Sequence, residues 1–111
     1  MEISEETESQ IKELQVLENK LQTLLMQRQA FQLELDEIEN ALSELAKTKE
    51  EVYKIVGNIM VKISKEEITK DLKQKKDLIT LRLKSIENQE KSLAESSENL
   101  RKKVLSKIKS D

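Results

Sequence analysis

The sequence predicts a mainly α fold: a long antiparallel two-helix coiled coil with one β-hairpin between the helices. Three observations predict it. Apolar residues recur at heptad spacing through Leu14, Leu17, Leu21, Leu24, Phe31, Leu35, Ile38, Leu42 and Leu45. A second series runs through Leu72, Ile79, Leu83, Ile86, Leu93, Leu100 and Val104. The two series mirror each other, because Leu42 with Leu72, Leu35 with Ile79, Phe31 with Leu83, Leu21 with Leu93 and Leu14 with Leu100 are number pairs totalling 114, and the midpoint, 57, is the only glycine of the chain. A helix that runs out, turns near Gly57 and returns along itself satisfies all three.

The first helix is expected over residues 4–46. Ser4 can cap its free amides, and Glu5 and Glu6 suit the positive end of the helix dipole. With position a at Leu14, Leu21, Arg28, Leu35 and Leu42, position d is Gln10, Leu17, Leu24, Phe31, Ile38 and Leu45. Gln10 and Arg28 are the polar members of that seam; Arg28, opposite Ile86, is expected to lay its stem on the seam and carry its charge outward, the alternative being a polar a position that fixes register at a cost in stability.

A hairpin is expected over residues 52–63. Val52-Tyr53-Lys54-Ile55-Val56 and Ile59-Met60-Val61-Lys62-Ile63 carry the β-branched and aromatic residues of strands. Between them Gly57-Asn58, glycine first, fits a type II′ turn. The alternative is a helix continuing through this stretch, or a simple helical loop.

The second helix is expected over residues 65–107. Ser64-Lys65-Glu66-Glu67 is a capping box that marks its start. Its seam is uneven: one row is nearly all leucine and isoleucine, while the row facing the d residues of the first helix reads Thr69, Lys76, Leu83, Glu90, Ser97 and Val104. All 111 residues are taken as one domain.

Composition narrows the function. Charged residues are 38% of the chain and aromatics 2%, too few large apolar side chains for an ordinary globular core. There is no proline to interrupt a helix and no cysteine or histidine. Disulfides, thiolate metal sites and histidine-based acid–base chemistry are therefore excluded, and no glycine-rich phosphate loop can be built from one glycine. The chain reads as a non-enzyme without cofactor or metal. No apolar run reaches the ~18 residues of a membrane span. The first ten residues carry four glutamates and no lysine, the opposite of a signal peptide, so a soluble, cytoplasmic protein is expected. The net charge of −2, with both signs interspersed, gives no reason to expect nucleic acid.

An isolated two-stranded hairpin is barely stable in water and offers unpaired edge amides. Here it also carries apolar side chains on both faces. Val52, Tyr53, Ile55, Val56, Gly57, Ile59, Met60, Val61 and Ile63 are therefore the candidate oligomerisation residues, pairing with hairpins of other chains. Tyr53 is read either as an anchor through its ring and hydroxyl or as simple strand packing.

The stretch from Glu51 to Lys62, EVYKIVGNIMVK, followed by Glu66 to Leu72 and a long heptad helix, resembles the central motif of the prefoldin β-class subunits. In that family an acidic or polar residue precedes V/I-Y-K-x-V-G, a few variable residues and V-K. The resemblance spans essentially the whole chain. The 17 residues from Lys47 to Ile63 leave room for one hairpin, as in the β class, rather than the two of the α class. Many relatives carry a proline-containing linker before the first strand; here it is Lys47-Thr48-Lys49-Glu50-Glu51, which leaves the end of the first helix open.

The resemblance implies a hexamer of two α-class and four β-class chains, with hairpins joined into a β-barrel platform and coiled-coil arms hanging from it. It implies that the arms hold unfolded proteins without nucleotide and pass them to a group II chaperonin. On this reading the tip, where both termini meet, supplies candidate client-binding residues Ile3, Ile11, Val104, Leu105 and Ile108. Val104 is read first as seam; Ile3, Leu105 and Ile108 are equally well read as fringe residues with no role. The tip is divided by charge: Glu2, Glu5, Glu6 and Glu8 lie on one strand of it, and Arg101, Lys102, Lys103, Lys107 and Lys109, against Asp111, on the other. Mutual attraction accounts for the pattern, and docking of Lys103, Lys107 and Lys109 on an acidic chaperonin surface is a second reading. Two other classes remain: a structural coiled-coil tether that binds no client, and a nucleic-acid-associated coiled coil, against which the absence of aromatics among the basic residues counts.

Overall fold

The computed structural model describes residues 3–110; Glu2 and Asp111, named above in the charge pattern, lie outside the described residues. The order of elements is α1 (Glu5–Lys47), β1 (Val52–Val56), β2 (Ile59–Ile63) and α2 (Lys65–Ser110). Two long helices thus flank one antiparallel hairpin, as the heptads and the turn pair require.

Both helices start on a serine. The Thr7 amide donates to Ser4 Oγ at 3.1 Å, and the Glu67 amide to Ser64 Oγ at 3.1 Å. Each bond satisfies one of the four amides that a helix start leaves free. Acidic residues fill both first turns, Glu5, Glu6 and Glu8 in α1 and Glu66 and Glu67 in α2, where the dipole favours them. α2 continues three residues past the expected end at Lys107, with Lys107 and Lys109 in its last turn.

α1 ends one residue past Ala46, at Lys47, and four residues lead to the hairpin. Thr48 organises them. Its hydroxyl accepts from the Glu50 amide at 3.3 Å, and its carbonyl accepts from Lys65 Nζ at 3.1 Å. On the far side of the hairpin only Ser64 separates β2 from α2.

The strands pair Val52 with Ile63, Tyr53 with Lys62, Lys54 with Val61, Ile55 with Met60 and Val56 with Ile59. Gly57 has φ +62°, and no other described residue has a positive φ. A type I′ turn needs positive φ at both central residues and a type II′ turn only at the first, so Gly57-Asn58 forms the II′ turn.

The helices pack in two compact portions. The first holds the hairpin and the helix segments from Ala30 to Leu83. Its core is Ile38, Ile79 and Leu83, with Phe31, Leu35, Leu42 and Leu72 packed against them. All but Ile38, which the mirror pairing sets opposite Lys76, are residues that this pairing brings together. Arg82 lies over the Phe31 ring at 5.7 Å, and Lys75–Glu34 and Lys76–Glu39 pair at 3.2 and 3.8 Å. The second portion runs up to Gln29 and from Lys84 on. Leu24, Ile86 and Val104 are buried there, each worth roughly 1.5–3 kcal/mol of apolar transfer.

Candidate functional site

Two surfaces gather the candidate residues, the hairpin and the helix ends.

On the hairpin the alternation of strand side chains sets two faces. Tyr53, Ile55, Met60 and Lys62 share one; Val52, Lys54, Val56, Ile59, Val61 and Ile63 share the other. No described residue covers most of them. Ile55 is 71% exposed, Ile59 66% and Met60 65%, while Val52 and Ile63, beside the helices, are half-buried. The sheet has only two strands, so one side of each strand keeps its amides and carbonyls unpaired. All nine hairpin residues singled out from the sequence lie in this one unit.

Glu51 opens the EVYKIVGNIMVK motif, where the pattern alone gives it no task. Its carboxylate holds two groups: Oε2 accepts from the Tyr53 hydroxyl at 2.8 Å and Oε1 from Lys62 Nζ at 2.9 Å. The tie orients the tyrosine ring on its face and links β2 to the residue before β1. The Lys62 ammonium, and after it the Tyr53 hydroxyl, holds Glu51 below the usual carboxylate range. The same bond pushes the Tyr53 hydroxyl up, because losing its proton would set two anions side by side.

At the helix ends the five client candidates divide by burial. Val104 is buried at 5% exposure, Ile11 and Ile108 are half-buried, and Ile3 and Leu105 are exposed. Lys107 Nζ sits 3.0 Å from Glu6 Oε1 and donates to Gln10 Oε1 at 3.1 Å, tying the basic end of α2 to the acidic start of α1. Lys103 and Lys109 are exposed. Lys107 thus carries the attraction inferred from the charge pattern, with Glu6 and Gln10 among its partners.

Thr7 was missed. It is 3% exposed and its hydroxyl pairs with Ser4 Oγ at 2.9 Å. Counting one heptad back from Leu14 would have found it, but a polar side chain hid the position. A hydroxyl can sit there because the capping serine satisfies it.

Among the described residues no group of three or more acidic side chains is placed to hold a metal ion, and no helix is long and apolar enough to cross a membrane.

Comparison with known proteins places these features in context. A family model described as prefoldin subunit matches residues 8–111. The chain is 38% identical over 96 residues to the prefoldin subunit beta of Archaeoglobus fulgidus, covering 85% of this chain and 83% of the relative. It is 38% identical over 104 residues to that of Sulfurisphaera tokodaii, covering 92% and 83%. Its fold superposes on the crystal structure of the prefoldin beta subunit from Thermococcus strain KS-1 with a TM-score of 0.86 and 33% identity, over 95% of this chain and 94% of that one.

Proposed function

We propose the following role for this chain, which belongs to the prefoldin subunit family: it is the β-type subunit of a chaperone that holds unfolded proteins without consuming nucleotide. In this reading the hairpin joins hairpins of an α-class partner and of further copies, as two α and four β chains, into a β-barrel platform. The paired helices are its arms, unfolded chains are held between them, and the held protein passes to a group II chaperonin in the cytoplasm.

One observation carries the reading. The hairpin exposes Tyr53, Ile55, Val56, Ile59, Met60 and Val61 and leaves its edges unpaired. A freestanding sheet of this kind is marginal in water, and pairing with other strands removes both defects. A tether that binds nothing has no use for such a unit. Ile3 and Leu105, exposed at the helix ends, supply apolar surface for clients, with Ile11 and Ile108 beside them. Lys103 and Lys109, with Lys107, form the basic end proposed to meet the chaperonin.

Native mass spectrometry with and without an α-class partner tests assembly, and light scattering of a denatured client without ATP tests holding. A hetero-hexamer that suppresses aggregation is expected. A stable lone chain or dimer with no effect on scattering would return the tether. Charge reversal at Lys103, Lys107 and Lys109 is expected to weaken chaperonin binding at low salt.

A further inference from the structure

From Gln15 to Gln29 the outward face of α1 carries no charge, whereas Glu8 and Lys12, at the same heptad positions one turn and more before it, are charged. With a at Leu14 and Leu21 and d at Leu17 and Leu24, the positions farthest from the seam between residues 15 and 29 are Gln15, Val16, Asn19, Gln22, Thr23, Met26 and Gln29, and none is ionisable. All are exposed, Val16 at 51% and Met26 at 62%. The opposite helix behaves differently. Among the corresponding outward positions of α2 from Lys84 to Lys102, Lys84, Lys91, Glu95, Glu98 and Lys102 are charged. Helix formation does not call for the neutral face. Glu–Lys pairs four apart stabilise exposed helices, and here they are given up. Val16 and Thr23 are β-branched and cost helix propensity.

A groove of about 380 Å³ opens along this face. Val16, Asn19, Thr23 and Leu24 line it from α1 and Gln89 and Leu93 from α2, with Lys20 as its one charge. Volumes of this order hold small ligands or a few residues of peptide.

We propose that this groove and the neutral face beside it bind an uncharged, apolar- and amide-rich segment of an unfolded polypeptide, a site separate from the exposed residues at the helix ends. The inference rests on the holding role proposed above. Charge matching argues for the occupant. Covering a lysine or glutamate with an uncharged partner costs its hydration, and this face presents none except Lys20, whose long stem can lift its ammonium to the rim. Asn19 and Gln22 can exchange water for the backbone amides of an extended chain at little net cost, while Thr23, whose hydroxyl donates to the Asn19 carbonyl, and Gln89, whose amide donates to Ser85 Oγ, keep acceptor capacity. Val16 supplies apolar area, and the flexible thioether of Met26, on the next turn from Thr23, adapts to varied side chains. A charged segment finds no counter-ion here apart from the one offered by Lys20, so the face selects for neutrality.

The test uses the full chain assembled with its α-class partner and a 20-residue peptide of Gly, Ser, Gln, Val and Leu, compared with a version bearing Glu at every fifth position. A photo-crosslinking residue replaces Gln22 or, as the control on α2, Lys91. The uncharged peptide is expected to crosslink at position 22 at least ~fivefold more than at 91, and more than the glutamate version. Met26→Lys is expected to weaken its binding, read by fluorescence anisotropy, by at least ~fivefold, while Met26→Gln keeps most of it. Equal crosslinking at both positions, equal effects of Lys and Gln at position 26, or crosslinking of position 22 to a second copy of the chain without peptide would overturn the proposal. Native mass spectrometry and circular dichroism of each variant confirm that assembly and helix content are intact. Aggregation suppression by the unsubstituted complex is measured in parallel: its absence removes the holding role itself, whereas its presence with silent Met26 variants removes only this site.

Discussion

Arg28 donates from Nε to Glu90 Oε1 at 2.8 Å, joining the polar a position of α1 to the polar row of α2. The expectation was that Arg28 would reach outward with its stem on the seam. Instead it reaches across, and its side chain stays 39% exposed against 22% for Glu90. Two polar residues that each looked like a flaw in the apolar pattern are one contact, and it can form only at this alignment of the helices.

A pair of this kind favours one alignment more than it adds stability. Glu90→Ala is expected to cost about 1 kcal/mol in urea unfolding, reduced by the partial exposure of Arg28. Arg28→Leu combined with Glu90→Leu is expected to hold or raise the midpoint while loosening alignment, seen as broadened amide resonances in the segments up to Gln29 and from Lys84 on. A double variant that unfolds far more easily than either single one would show that the pair's main task is stability.

The hairpin tie is readable by titration. Tyr53 is the only tyrosine and there is no tryptophan, so tyrosinate absorbance reports on it alone. Its hydroxyl should ionise above its ordinary 10.0, and Glu51→Gln should bring it back down. The signs give two edges. The raised hydroxyl contributes stability present below its unfolded value and lost as pH rises through its folded value. The depressed Glu51 carboxyl contributes stability present above its unfolded value and lost as pH falls through its folded one. The tie is therefore intact across neutral pH and opens in both acid and strong alkali.

Gly57 stands in open space, with nothing within 4 Å of where a Cβ would sit, yet at φ +62°. Gly57→Ala meets no neighbour but places an L side chain in the left-handed region, at a cost of about 1–2 kcal/mol. Native mass spectrometry should show weaker assembly, with helix content unchanged by circular dichroism. Lost helix content would show that the turn governs more than the hairpin.

Burial at the helix ends separates stability from holding. Val104→Ala opens the seam and should lower stability by about 1–3 kcal/mol. Leu105→Ser removes an exposed side chain and should leave thermal unfolding within about 0.5 kcal/mol while reducing suppression of client aggregation. If Leu105→Ser leaves scattering curves unchanged, the exposed leucine is fringe.

The fold was legible because its two signals are periodic. A seam needs apolar residues at fixed intervals, so Leu35 with Ile79 and Phe31 with Leu83 could be paired by arithmetic, and β-branched runs around Gly57-Asn58 marked the hairpin. What escaped was polar. Thr7 fills a seam position with a hydroxyl whose partner, Ser4, had been seen only as a cap. Glu90 and Arg28 were each read alone, since a charge-to-charge contact 62 residues apart leaves no local trace. Glu51 was visible as a motif letter, but its grip on Lys62 depends on the strand register. The neutral face of α1 is an absence, visible only after the heptad phase tells which positions point away.

The joints on either side of the hairpin are unequal: four residues lead in from α1, and Ser64 alone leads out to α2. A one-residue joint behind a serine cap has almost no slack, whereas the longer strap is fastened at Thr48, whose carbonyl accepts from Lys65. Any tilt of the hairpin therefore reaches the start of α2 across one residue and α1 across four. Lengthening the strap by a residue should be absorbed; lengthening the joint at Ser64 should turn the first turns of α2 relative to the hairpin.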